Sequence, residues 1–244
     1  MSVAIVTGAS RGIGRATALL LAENGFDIAF NHLGDHARAR EVGAAIEALG
    51  RSTFHAEADM ADPAAIRAFA AAAQVALGPP DVLVNNAGIN IRGPFESFAE
   101  GDFDRIMAIN VKGVFVMAQA VYPAMLERGS GRIINIASQL AFKGQEELVP
   151  YCMAKAAIVG FTRALAREAA PRGVLVNAVA PGPVTTDLTA VRGPEWSAAM
   201  AAALPVRRMG TPEDIAATIL LLAGPGGAFY AGACLSPNGG DVMH

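Results

Sequence analysis

Tyr151 and Lys155 stand four residues apart in Tyr151-Cys152-Met153-Ala154-Lys155. On a helix that spacing puts both side chains on one face, about 5–6 Å apart at Cβ. A phenol can give its proton to a developing alkoxide, but a reference pKa near 10 makes it a reluctant donor and acceptor at neutral pH. A neighbouring ammonium stabilises tyrosinate, so Lys155 is expected to lower the pKa of Tyr151. With three Tyr and three Lys in the chain, only about 0.04 such pairs arise by chance. Ser138 ends an apolar run ahead of them, where its hydroxyl would hold a carbonyl oxygen and stabilise the charge growing on it. Together these groups suit reduction of a ketone, which further requires a hydride delivered to one face of the carbonyl.

A binding element for a hydride carrier lies at the other end of the chain. The apolar run Val3–Thr7 leads into Gly8-Ala9-Ser10-Arg11-Gly12-Ile13-Gly14 and then into a helical segment. Gly8 permits a tight turn, Gly12 lets a pyrophosphate approach the backbone, and Gly14 lets the helix pack near the strand. The unpaired N–H groups at the helix start would hold the phosphates. Further motifs follow in order: Asn85-Asn86-Ala87-Gly88, Asn110, Ser138, the Tyr151–Lys155 pair and Pro181-Gly182.

The spacing Thr-Gly-x-x-x-Gly-x-Gly, with these motifs in this order, resembles the short-chain dehydrogenase/reductase family from Val3 to Asn238-Gly239-Gly240. The resemblance implies a catalytic set of Asn110, Ser138, Tyr151 and Lys155, with Ser138 and Tyr151 touching substrate. Lys155 would also hydrogen-bond the nicotinamide ribose, and Asn110 would organise a water relaying protons to it. Gly8, Ser10, Arg11, Gly12, Ile13 and Gly14 would hold the cofactor's phosphates. Asp59 and Met60 would border its adenine, Asn86, Ala87 and Gly88 would line its cleft, and Val184 and Thr186 would follow Pro181 and Gly182 to the carboxamide. The family position for a ribose-binding carboxylate falls on His32, and Arg11 resembles the basic residue of NADP-preferring members. NADP(H) is therefore expected over NAD(H). Asp35 reads either as an N-cap for the following helix or as a group facing the ribose. Asp59 has a second reading as a cap for the helix starting near Pro63.

Within the family the likeness is greatest to the 3-oxoacyl-[acyl-carrier-protein] reductases and their acetoacetyl-CoA relatives, which implies an acyl-thioester or small ketone substrate. Arg172 matches one of that group's carrier-docking arginines, but the other position falls on Gly129, with Arg128 adjacent. That departure speaks against acyl carrier protein as a partner. Glu146 and Glu147, just before Tyr151, are either solvated loop charges or cleft residues that would disfavour an acidic partner. A small-ketone or polyol dehydrogenase is the competing enzyme reading. A sensor that binds NADP without turnover is a third, though it would have no need of Tyr151 with Lys155. Cys152 reads as a small packed residue, since no histidine lies near it in sequence.

These residues need an α/β scaffold, and the rest of the chain supplies its pattern. Candidate strands are Val3–Thr7, Asp27–Asn31, Ser52–His55, Val82–Asn85, Arg132–Ala137, Leu175–Val179 and Ala233–Ser236. Helical period covers about 12–36, with the first helix ending near Asn24-Gly25, then 37–49, 63–77, 102–128, 151–170 and 212–223. The alternation implies a Rossmann-type three-layer sandwich with a seven-stranded parallel sheet, read as one domain over 1–244. The irregular stretch Pro181–Met209 suits a substrate lid at about 184–209. Of the 244 residues 53% are hydrophobic, enough for a large core, and a net charge of −3 offers no basic surface to nucleic acid or anionic membrane. No apolar run approaches bilayer length, no charged leader precedes the first strand, and the two cysteines form no metal-ligand spacing with the four histidines. A soluble cytoplasmic protein without a metal is expected. The family resemblance adds a homotetramer, built partly through the helices at 102–128 and 151–170.

Overall fold

The computed structural model describes residues 2–243. Seven parallel strands form one sheet in the order β3-β2-β1-β4-β5-β6-β7: β1 Ser2–Val6, β2 Phe26–His32, β3 Thr53–Glu57, β4 Val82–Asn85, β5 Gly131–Ile136, β6 Val174–Val179 and β7 Cys234–Leu235. Alternate residues of each strand point to opposite faces. Ala4, Val6, Ile28, Phe30, Val84 and Ile134 therefore enter one core, while Ile5, Ala29, Leu83 and Ile133 enter the other. Both faces are covered, which is why the strands read as unbroken apolar runs.

The first core is closed by α1 (Gly12–Glu23), α2 (His36–Ala48) and α10 (Pro212–Ala223). The second is closed by α3 (Pro63–Leu77), α5 (Val114–Arg128) and α7 (Val149–Ala169). Local chemistry sets several helix starts. Asp62 accepts from the Ala64 N–H with Pro63 at the first turn of α3. Thr211 and Asp214 form a reciprocal capping box ahead of Pro212.

Three expectations are corrected. The helix expected over 102–128 is α4 (Glu100–Met107), a π-helical turn at Ala108–Gly113, and α5. Gly113 ends that turn, and a Cβ there would lie 2.5 Å from the Met60 carbonyl oxygen, so glycine is what lets the chain pass this close to that loop. Joined through that turn, Glu100–Arg128 is long and apolar enough to cross a bilayer by length and composition, but half of its apolar window is buried against the second core. The stretch at 184–209 is not irregular. It holds α8 (Asp187–Ala190) and α9 (Gly193–Ala203), neither with a buried residue, between a Val184–Gly210 bridge and the buried Leu204. A short α6 (Leu140–Lys143) follows β5.

Candidate active site

Strand order reverses between β1 and β4, so their C-terminal ends open a crevice flanked by the loops that leave them. Thr7 fixes the two loops together. Its Oγ1 accepts from the backbone N–H of Asn86 and of Ala87, each at 3.0 Å. The Asn86 amide donates to the carbonyls of Thr7 and Gly8, so this side chain holds the crevice wall. Asn31, at the end of β2, completes the frame by accepting from the Gly8 N–H and donating to the Ala58 carbonyl. Thr7 and Asn31 were not among the residues singled out from sequence. The available signal was a polar residue at the inward end of an apolar strand.

The glycine turn has the geometry its spacing implies. Gly8 and Gly12 have φ of +66° and +56°, values that L side chains rarely adopt. A Cβ on Gly14 would stand 2.4 Å from the Gly8 carbonyl oxygen, so only glycine lets α1 sit this close to β1. The first intrahelical bond of α1 runs from Arg15 N–H to the Arg11 carbonyl. The N–H groups of Gly12, Ile13 and Gly14 precede it and have no helical acceptor, which makes this end of α1 an anion cradle. Ser10 is buried beside it and Arg11 is exposed.

Ser138 follows β5, and Tyr151 and Lys155 lie on the first two turns of α7. The structure brings all three together. Ser138 faces the Tyr151 phenol and favours its ionised form, and its Oγ accepts from the Leu140 N–H at 3.1 Å. Lys155 Nζ lies 5.7 Å from the Tyr151 ring centre and donates to the Ile136 carbonyl at 2.7 Å. Asn110 and Lys155 meet at Gly88, whose added Cβ would lie 3.1 Å from Asn110 Oδ1 and 3.6 Å from Lys155 Nζ.

Electrostatics at this cluster differ from the expectation. Burial pushes the Tyr151 phenol up to about 12, and Ser138 only partly opposes the rise. Lys155 is not among the groups that offset this rise, and the same burial depresses its own pKa to about 8. The protein alone therefore presents a neutral, proton-bearing phenol. The Cys152 thiol is pushed up by burial, consistent with an inert packed side chain.

Asn110 is fully buried within the π-helical turn. Its Oδ1 accepts from the Ile89 N–H and its Nδ2 donates to the Ile89 carbonyl, both at 2.9 Å. Both ends of the amide thus clamp the loop after β4.

Other predicted positions are placed as follows. Pro181 and Val184 are buried, Gly182 packs on Asn238, and Thr186 starts α8 with its methyl 3.6 Å from where a Gly12 Cβ would be. Met60 is buried in the second core. Asp59 accepts from the Ala61 N–H and does not cap α3, a role that falls to Asp62. Asp35 occupies the N-cap position of α2 without a side-chain capping bond, and its Oδ2 lies 3.9 Å from Arg38. His32 is buried at the end of β2, and its Nδ1 has no hydrogen-bond partner. Of the two loop acids, Glu147 is paired with Arg92 at 3.0 Å, while Glu146 is exposed.

The short chain dehydrogenase family pattern matches residues 2–196. The chain is 39% identical over 240 residues to the 3-oxoacyl-[acyl-carrier-protein] reductase of Staphylococcus aureus, covering 98% of each. Among solved structures it is similar to a blue fluorescent protein from a metagenomic library in complex with NADPH, with a TM-score of 0.94, 43% identity, and coverage of 99% of this chain and 98% of that one. It is likewise similar to a short chain dehydrogenase from Burkholderia cenocepacia in complex with NADP, with a TM-score of 0.91, 38% identity, and coverage of 98% and 97%.

Proposed function

From the premise that this chain belongs to the short-chain dehydrogenase/reductase family, we propose that it is an NADP(H)-dependent oxidoreductase that reduces a ketone, a 3-oxoacyl thioester by preference, to a secondary alcohol. The observation that carries the reading is the placing of Ser138 and buried Lys155 against Tyr151, in the crevice whose other wall is the glycine turn. NADPH and NADP in the similar structures support the cofactor assignment. So does the fit of the cradle, where the free N–H groups of Gly12, Ile13 and Gly14 and the cation of Arg11 suit a dinucleotide diphosphate. When bound, the nicotinamide supplies the hydride.

This chain's own residues handle the oxygen and its proton. Ser138 holds the carbonyl oxygen by its hydroxyl. Tyr151, protonated at neutral pH, gives its proton to that oxygen as the alkoxide forms. The resulting tyrosinate is held by the Ser138 hydroxyl and the Lys155 ammonium. A lysine depressed to about 8 releases and regains a proton readily near pH 7, which suits the refilling of Tyr151. Asn110, through the turn it stabilises, positions Gly88 and the water path to Lys155. We further read residues 1–244 as one working domain with 184–209 as its substrate lid. The free thiols Cys152 and Cys234 suit the cytoplasm.

Tyr151→Phe tests the reading. With acetoacetyl thioesters, diketones, cyclic ketones and ketoses as substrates, it should lower NADPH oxidation by at least about 10²-fold while leaving NADPH affinity within twofold. Unchanged turnover would falsify the assignment.

A second reading, a small-ketone or polyol dehydrogenase, is favoured by two observations. Arg128 is tied to Asp81, Ser130 and the Pro80 carbonyl at the N-terminal end of β5, and Arg172 lies just ahead of β6 at the same end of the sheet. A carrier protein docked there would sit opposite the crevice of its own chain. The Arg92–Glu147 pair beside the Tyr151 loop adds polar groups of both signs near the substrate side. Turnover of ketoses without turnover of acyl thioesters would select this reading.

A further inference from the structure

We propose that Arg92 and Glu147 are a positioning pair for the reduction, a latch that holds Glu147 in a left-handed conformation and so fixes the start of α7 and, with it, Tyr151. This rests on the reductase reading above, in which Tyr151 gives up the proton. Glu147 has φ of +61°, and among the described residues Arg207 is the only other non-glycine with a positive value. Residues with a Cβ rarely adopt that conformation. It persists where the surroundings over-determine it, and such places cluster at functional sites. Arg92 donates to Glu147 Oε2 from Nε at 3.3 Å and from Nη2 at 3.0 Å. The same Nη2 donates to the Glu146 carbonyl at 3.4 Å, and the Gly93 N–H donates to the Glu147 carbonyl at 3.1 Å.

The two loops joined in this way carry the reacting groups. Arg92 lies shortly beyond Ile89, which Asn110 clamps, so the loop after β4 is tied down at two places. Glu147 directly precedes Leu148, which stands at the N-cap position of α7 and provides no side-chain cap. The bond from the Cys152 N–H to the Leu148 carbonyl, at 2.9 Å, closes the turn that contains Tyr151. Leu148 itself is buried, and its N–H donates to the Gln145 carbonyl at 3.2 Å. Without a cap of its own, α7 takes its starting point from the backbone of Glu147, and the place of the phenol opposite Ser138 follows from it.

The ion pair is too exposed to act as a stability device. Its side chains are 31% and 53% exposed, and pairs open to solvent contribute little. Its effect is on conformation. Without Arg92, the Glu147 carboxylate has no partner to hold it, and the residue relaxes toward negative φ and moves the loop. Glycine adopts positive φ at no steric cost, so glycine at position 147 keeps the loop's shape with no latch at all. Proton transfer is sensitive to such movement, since a misplacement of about 1 Å can lower a rate about 10²-fold.

The test is steady-state reduction by NADPH of the best ketone from the substrate panel above. It compares wild type, Arg92→Gln, Glu147→Gly and the double variant. Arg92→Gln should lower kcat about tenfold while leaving KM for NADPH within about twofold. Glu147→Gly should stay within about threefold of wild type, and the double variant should recover to that level, because glycine supplies the conformation that Arg92 otherwise enforces. Equal losses in all three variants would show a pair acting by its charge alone and would overturn the proposal. So would wild-type kcat in Arg92→Gln, or a loss confined to KM for the ketone. A wild type that reduces no ketone, or turnover that survives Tyr151→Phe, would instead defeat the reductase reading beneath it.

Discussion

Lys155 is 5% exposed and makes one hydrogen bond, to the Ile136 carbonyl. Burying that amine is a cost the fold bears for the site. Its pKa falls from 10.5 to about 8, worth roughly 3 kcal/mol at 1.36 kcal/mol per unit. The sign follows from which state holds the proton. Below pH 8 both states are protonated and the native state carries the whole penalty. Between pH 8 and 10.5 only the unfolded chain stays protonated, so stability rises with pH. Lys155→Met should therefore stabilise the protein by roughly 2 kcal/mol at pH 7, after about 1 kcal/mol is lost at the unpaired Ile136 carbonyl. That gain should shrink above pH 8, reach zero near pH 10 and reverse above about 10.5, where only the loss at the Ile136 carbonyl remains, with reductase activity lost throughout. Urea melts across this range check it, and a variant less stable than wild type at pH 7 would contradict the penalty. Tyr151 and Lys155 were legible as a pair because helix spacing places i and i+4 together, and Ser138 was legible as the polar residue ending an apolar run. The direction of the tyrosine shift was not, since burial acts on both groups and depends on what covers them.

The elements that shape the crevice differ in how tightly they are held. The start of α1 is over-determined: a methyl on Gly14 would meet the Gly8 carbonyl oxygen at 2.4 Å and the Asn86 Nδ2 at 2.5 Å. Backbone cannot yield as a flexible side chain would. Gly14→Ala should push α1 off β1, cost about 1–3 kcal/mol in thermal unfolding, and weaken dinucleotide binding at least tenfold by calorimetry. Wild-type affinity in this variant would mean the turn is looser than it is drawn. The opposite case is α8 and α9, which have no buried residues. Few buried contacts make for low local stability, the property a lid needs. Glycine spacing made the first element readable. The second was obscured because the Gly and Pro residues that frame it also start helices, as Pro194 does in the first turn of α9.

For the whole molecule, the open question is what covers the apolar face of the helices after β4 and β5. Phe115 is 50% exposed and Met153 equally so, and Phe115 stacks edge-on to Phe161 at 6.3 Å. A depression lined by Met107, Val111, Phe115, Ile158 and Phe161 lies beside them. We propose that this face joins copies of the chain in a tetramer, with exposed Phe229 and Met243 of the C-terminal region at a second contact. Sedimentation at micromolar concentration should give four copies for the wild type and a smaller species for Phe115→Asp, since a buried unpaired carboxylate is costly. A wild-type monomer would remove the proposal.

By itself the sequence determined the order of the seven strands and of the long helices between them, the glycine turn and the grouping of Ser138, Tyr151 and Lys155. Each of these is a matter of periodicity or short spacing along the chain, and apolar runs and i, i+4 neighbours carry that directly. Tertiary structure alone decided which groups far apart in sequence meet: Asn110 on Ile89, Arg92 on Glu147, and Asp187 between Arg11 and Arg38. It also decided the charge states, because desolvation depends on atoms supplied by the whole fold. Local pattern records how a segment folds, whereas a pKa or an ion pair depends on what packs against it.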